Sequence, residues 1–433
     1  MTRDSLLAAG LLLSTASQMR LAGLPVGPGE ICLVVWLMLA LGLEVRRLGP
    51  PVTPALLQLS GFWALFAIAQ SIGTLTGFAM GDRHDADLFV HDAIAYPFLA
   101  AVSCLSVVGP GACARLHRVA WLLAAFGIAF LASQLAAGWG LIDVLADRAW
   151  FWDRFRGWSE NPNQLAFLCA VLGLVSLHLA ERAPRSGERF AAIACIIGFI
   201  YVGQLTKSDT FSLVVAAAAV IFITLKLRTW LTLRGPGLPL RSALAWIVIL
   251  GLPMIAIAAS PLAYVLADQA GVLASGMSKD NGVGTEQEAL LRIHSWREAV
   301  DRGLQSGMLG LGPGPHLEIP PVLVAARVSE DKPQNLSHPS LNGMPNFEAH
   351  NTLLDLFTQG GLLAVLTFAG FAAISAWATY RAKLDGLTTL LCGLAIFGVL
   401  HLIVRHPVFW FAVALCVAAG AETPRTLATG RRS

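Results

Sequence analysis

The chain has 433 residues, of which 56% are hydrophobic and 13% charged, with a mean hydropathy of +0.66. A soluble domain carries about 25% charge, so this composition excludes a water-soluble globular protein and points to a polytopic membrane protein. The formal net charge of +3 is too small for a nucleic-acid-binding surface.

A bilayer-crossing helix needs about 20 mainly apolar residues. That rule places spans near 4–20, 28–45, 54–78, 90–109, 118–138, 161–181, 190–206, 208–226, 242–265, 350–378, 386–402 and 408–422. The opening MTRDSLLAAGLLL has the basic start and apolar core of a signal peptide. No small-residue cleavage site follows, so it reads as a retained first helix. About twelve spans put both termini on one side. Arg46, Arg47, Arg115, Arg118, Arg182, Arg185, Arg189, Lys226, Arg228, Arg381 and Lys383 fall on that same side, as do the tail arginines. By the positive-inside rule it is cytoplasmic.

The fold class expected is therefore all-α, a polytopic membrane helical bundle with one long polar excursion on the outer face. Residues 1–265 hold helices one to nine, 266–349 a periplasmic loop domain, and 350–433 helices ten to twelve and a cytoplasmic tail. The seven cysteines lie in apolar stretches or short loops outside the excursion, so no disulfide framework or zinc-ligand spacing is expected there.

Four groups of polar residues collect on the outer side. The first is WDRFRGWSENPNQLAF, where Asn161-Pro162-Asn163 suits a capped helix start. Arg154 and Arg156, beside Trp150, Trp152 and Trp158, suit an anionic headgroup or phosphate as well as an interfacial belt. The second is Lys207-Ser208-Asp209, in a tight turn between two spans, where charge at the membrane surface is costly. The third is a helix from about Glu286, with Leu290, Ile293, Trp296 or Arg297, Val300 and Leu304 at helical spacing, so that one face packs down. Arg292 and Trp296 lie one turn apart on it. The run Gly310-Leu311-Gly312-Pro313-Gly314-Pro315 then ends the helix.

The fourth group is His350-Asn351, heading a stripe through Leu353, Leu354, Phe357 and Gly361. The positive end of a helix dipole favours neutral imidazole, the form that accepts a proton from a hydroxyl. The last outer turn adds Arg405 and His406. Taken singly, each group has a plain structural reading as a cap, a hairpin tip, a solvated helix or an interfacial residue. Their common side is the signal. Glu286, Glu288 and Glu348 are scattered and form no carboxylate cluster, so a metal-independent site for a diphosphate, with no cofactor, fits the arginines and lysine.

At these residues the chain resembles the O-antigen ligase and polysaccharide polymerase superfamily of bacterial inner-membrane glycosyltransferases. The family pattern of Arg, Trp, a small-residue G-x-G loop, then His-Asn, nine residues and Gly appears as Arg292, Trp296, Gly310-Leu311-Gly312-Pro313-Gly314, His350-Asn351 and Gly361. RFRGWSENPN is similar to the family's Gly…Asn-Pro-Asn stretch. Two positions depart: Ala364 stands where many members have a second glycine, and Asp209 where many have arginine, which leaves phosphate binding at that turn to Lys207.

The resemblance implies a metal-independent inverting glycosyltransferase of the C type. Its donor would be a glycan on undecaprenyl diphosphate. Its acceptor would be lipid A–core, as in a ligase, or a second lipid-linked glycan, as in a polymerase; the Asp209 departure tilts towards the polymerase. Arg292 and His350 would be catalytic, the first neutralising the leaving diphosphate and the second orienting or deprotonating the acceptor hydroxyl. Lys207, Arg154, Arg156, Trp296, Asn351 and Arg405 would bind substrate. A multi-pass transporter of a small anion or glycan-related solute is the rival, and its site would sit at the bilayer midplane in helices broken by Gly or Pro. A purely structural scaffold leaves the His-terminated loop unexplained.

Overall fold

The computed structural model describes residues 2–20, 26–46, 52–82, 86–109, 111–144, 149–233, 284–317 and 347–429. Helix α1 runs Thr2–Leu13, followed by a 3₁₀ turn at Ser17–Met19, then α2 Pro28–Val45, α3 Pro54–Met80 and α4 Ala86–Ser106. Helix α5 spans Ala112–Gly138; a two-residue hairpin of β1 Trp150–Phe151 and β2 Arg154–Phe155 separates it from α6 Pro162–Arg182. Then come α7 Ser186–Leu205, α8 Asp209–Leu233, α9 Gly284–Gln305, α10 Thr352–Arg381, α11 Asp385–Leu400 and α12 Pro407–Thr429.

Local chemistry sets the starts of these helices. Thr53 accepts the Leu56 amide at 3.1 Å ahead of Pro54, and Asn161 accepts the Asn163 amide at 2.8 Å ahead of Pro162. In both, the cap oxygen satisfies an orphan N–H and proline occupies a position that needs none. Among the described residues, eight helices are long and apolar enough to cross a membrane, in α2 to α8 and α10; Asp385–Leu400 and Pro407–Glu422 are shorter apolar helices. The chain is thus an all-α, multi-pass membrane protein. Helix α1, expected over 4–20, has 12 residues and reaches only about 18 Å. The span expected at 242–265 lies outside the described residues, as does most of the loop domain expected at 266–349.

The described helices run alternately between two ends of one bundle. Apolar surface gains little by leaving lipid, so close packing holds such helices together. Helix α6 is buried over nearly its whole length, and Val408–Ala419 of α12 is buried on every face. Aromatic rings knit α3, α10 and α12: Trp63 and Trp410 centroids lie 4.4 Å apart and Phe62 and Phe371 4.7 Å apart.

One end carries Asp4 paired with Arg118 at 3.1 Å, and Arg115 donating to the Ser106 and Val108 carbonyls that close α4. There Lys226 of α8 also pairs with Glu181 of α6 and, at 3.3 Å, with Asp385 of α11. The other end holds all four groups of polar residues singled out above.

Helix α9 packs differently from its apolar stripe. Ile293, Val300 and Leu304 are exposed, while Ser295, Ala299 and Gly303 are buried. The reason is approach distance: a Cβ at Gly303 would lie 2.2 Å from the Phe357 ring of α10. Small residues at i, i+4 and i+8 let the two helices touch, and proximity outranks hydrophobicity on that face.

Candidate active site at one end of the bundle

The start of α10 organises this end. Asn351 is its N-cap, and its side-chain oxygen accepts the Leu353 and Leu354 amides at 3.0 and 3.2 Å. Asn351, expected to bind substrate, thus uses its side-chain oxygen to cap the helix. His350 lies one residue before the cap, exposed and with φ of 51°. A left-handed conformation at a non-glycine residue costs on the order of 1 kcal/mol and survives only where the surroundings impose it. Asp355 imposes it here: one carboxylate oxygen accepts the Ala349 amide at 2.7 Å and the other the Asn351 amide at 3.1 Å. Upstream, Leu317 and Phe347 exchange two backbone hydrogen bonds of 3.0 and 3.2 Å. Trp296 donates its indole N–H to the Ala349 carbonyl at 3.0 Å. Its role in the structure is thus to clamp α9 onto the strand before His350.

Ten residues after Asn351 the helix breaks. Gly361 has φ 64° and ψ −161°, which interrupts the backbone ladder inside α10. The glycine loop fills the gap. Leu311 and Gly312 amides donate to the freed Thr358 and Gln359 carbonyls at 2.7 and 2.8 Å, and the Leu362 amide donates to Met308 O at 2.9 Å. A Cβ at Gly361 would stand 2.1 Å from that Met308 oxygen, and one at Gly310 would stand 2.5 Å from the Gln359 oxygen. The spacing from His-Asn to Gly, and the glycines before it, thus describe one joint. His316, buried beyond the loop, bonds Asp82 at 2.9 Å and Gly312 O at 2.8 Å and ties the joint to the end of α3.

The cations sort into distinct roles. Arg405 is half-buried and bonded to both Glu348 and Asp92, the latter 313 positions away in sequence. Burial opposes its charge, but the Glu348 and Asp92 carboxylates outweigh it and raise the guanidinium pKa above its ordinary value. Arg405, expected to bind substrate, is thus held by two carboxylates, Glu348 among them: charge inside low dielectric demands a partner, and folding supplied two. Lys207, with φ of 49°, pairs with Asp153 at 2.5 Å, both exposed. A hydrogen bond from Lys207 holds the Asp153 carboxyl below its usual range. Arg154 donates to Thr206 O and Asn163 Oδ1, both at 3.0 Å, stitching the hairpin to the α7–α8 turn and the start of α6. Arg156 donates to Glu160 O at 3.4 Å and stacks over Phe151 at 5.4 Å. Among the described residues, Arg292 has no hydrogen-bonding or ion-pair partner.

His401, just past α11, was not among the expected site residues. Its ring nitrogen lies 3.2 Å from Thr210 Oγ1, and its carbonyl accepts the Thr352 hydroxyl at 2.6 Å. Burial first, then the positive fields of His350, Arg292, His406 and Arg154, lower its pKa to about 3. Asp355 could have been noticed as the acid in the first turn of a capped helix. Asp92 and His401 carry no local signal, since only the tertiary fold brings them here. Among the described residues no group of three or more His, Cys, Asp and Glu is placed to hold a metal ion.

A multi-pass helical membrane protein with a cationic, histidine-bearing cluster at one end of the bundle is the class these features define. Residues 190–369, from α7 to beyond the break in α10, match the family model described as O-antigen ligase. That match shows the likeness to the O-antigen ligase and polysaccharide polymerase superfamily, a family of membrane glycan-processing enzymes. It takes in Lys207, Arg292, Trp296, the glycine loop, His350, Asn351 and Gly361; Arg154, Arg156 and Arg405 lie outside it. No curated protein matches the chain.

Proposed function

We propose that this protein is a metal-independent, inverting glycosyltransferase of the bacterial inner membrane, with both termini cytoplasmic and the site on the periplasmic face. It moves a glycan from undecaprenyl diphosphate to an acceptor hydroxyl, either of a second lipid-linked glycan, as a polymerase, or of lipid A–core, as an O-antigen ligase. The observation that carries this reading is the tether between α9 and the start of α10, where Trp296, one turn from Arg292, bonds the Ala349 carbonyl beside His350, with Arg292 lacking a partner among the described residues.

In the reaction the anomeric C–O bond to the diphosphate breaks as the acceptor oxygen bonds to the opposite face of the carbon, which inverts it. The acceptor proton passes to a ring nitrogen of His350. The departing diphosphate gains charge that Arg292 neutralises through a planar, two-pronged guanidinium. Lys207, Arg154 and Arg156 extend the positive field at the rim. Lys207 would have to exchange Asp153 for a phosphate oxygen, and the exposure of that pair makes the exchange cheap.

The transporter reading has one feature in its favour, the broken α10. The carbonyls that such a break frees for a solute are already satisfied by Leu311 and Gly312, which supports the enzyme. The deciding experiment is transfer in proteoliposomes holding lipid-linked glycan, in buffer with chelator. Wild type should transfer, and His350→Ala and His350→Gln should lose about 10²- to 10⁴-fold in rate. Lipid-linked units should accumulate in cells carrying either variant. Near-normal polymer or capped lipopolysaccharide from His350→Gln would reject the base role.

A further inference from the structure

Every peptide around His350 is tethered. Phe347 is bridged to Leu317, Glu348 is drawn to Arg405, the Ala349 carbonyl takes the Trp296 indole, and Asn351 caps α10. At the centre is Asp355, 3% exposed, four residues beyond the cap and outside the His-Asn…Gly pattern. Its two oxygens accept the Ala349 and Asn351 amides, the two that flank the histidine.

We propose that Asp355 is the positioning residue of His350, fixing through those two amides the direction in which the imidazole leaves the chain. This rests on the reading of His350 as the acceptor-activating base. The geometry asks for a carboxylate. Two N–H groups point at two separate oxygens, and each oxygen only accepts. An asparagine at 355 keeps one acceptor and turns an N–H₂ donor towards the other amide, leaving a buried N–H unpaired. The peptide on one side of His350 is then released, and the left-handed turn at φ 51° loses what enforces it. The ring remains present but is no longer held to one direction, and a displacement of about 1 Å at a reacting group costs on the order of 10²-fold in rate.

The test compares purified Asp355→Asn, His350→Gln and the double variant in the proteoliposome assay, with thermal unfolding measured in the same detergent. Asp355→Asn should lower kcat at least about tenfold while KM for the lipid-linked donor stays within about twofold, because donor binding is left to Arg292. In the His350→Gln background the same substitution should cost nothing further, since residues acting as a unit are non-additive. A purely structural aspartate would instead lower stability and add its loss to any background. If His350→Gln is inactive and Asp355→Asn turns over normally, the positioning role is wrong and the base role stands. If His350→Gln is active, the base role itself is wrong. Should Asp355→Asn fail to assemble, Asp355→Glu carries the same kinetic test: it keeps the charge and shifts both oxygens by one methylene. Wild-type kcat from that variant would equally overturn the proposal.

Discussion

The two ends of this bundle use the same kinds of side chain for different purposes. At the α6–α8–α11 end, Lys226 is clasped by Glu181 and Asp385, and the Gly386 amide at the start of α11 donates to Glu181 at 2.7 Å. Arg115 closes the end of α4, and Arg118 is held by Asp4. Charges there finish helices. At the other end Arg405 does the same for the residues before α10, but Arg292 has no such partner among the described residues and His350 is held in a strained conformation. Of the five non-glycine residues with positive φ among the described residues, Trp152, Lys207, Met308 and His350 stand at this end and Lys383 at the other. Strain that packing must maintain gathers where chemistry needs a fixed direction, so unpaired charge and strained backbone together separate a site from a well-capped helix end.

The comparison breaks first at Arg292. Arg292→Ala should abolish glycan transfer with membrane expression intact, and Arg292→Lys should restore only part of it, because an ammonium cannot bridge two phosphate oxygens. Arg185→Ala, which removes a largely exposed partner of Glu188 at the opposite end, should leave transfer unchanged. Equal transfer from Arg292→Ala and Arg185→Ala would erase the distinction between the ends.

The two buried ion clusters give the next effect. Arg405→Ala strands the Asp92 and Glu348 carboxylates and should cost about 3–5 kcal/mol, read as a lowered unfolding midpoint. Lys226 is 41% exposed at its side chain against 19% for Arg405, so water compensates more of its loss. Lys226→Ala should therefore destabilise less. The reverse order would mean that the Arg405 cluster is not the tighter of the two.

Acidity should produce the smallest effect, and should locate it at the site end. Burial lowers His401 to about 3 and His406 to about 4, both beneath the ordinary histidine value of 6.5. The unfolded chain then takes up protons before the folded one does as pH falls from 6.5 towards 4. Stability contributed by these neutral rings is complete above 6.5 and is lost through that window. Unfolding midpoints measured across it should decline, and His401→Gln should flatten the decline. An unchanged slope in that variant would remove His401 as its source.

Much of this was legible in the chain itself. Apolar runs of sufficient length dictated the spans, because lipid forces backbone groups to pair within each segment. Asn161-Pro162 announced its helix start, since a cap acts on amides two or three positions away. The His-Asn…Gly spacing ends on the glycine at which α10 breaks. What the sequence could not reveal was partnership across distance. The packed face of α9 was set by Gly303 meeting Phe357, not by its apolar stripe. Lys207, Arg154 and Arg405, alike as cations in a linear reading, were separated only when Asp153, the Thr206 carbonyl and the Asp92–Glu348 pair came to meet them. Periodicity and capping are local and survive in the order of residues. Whether a buried charge is free to act depends on which other charges the fold brings beside it, and that was decided only by the tertiary structure.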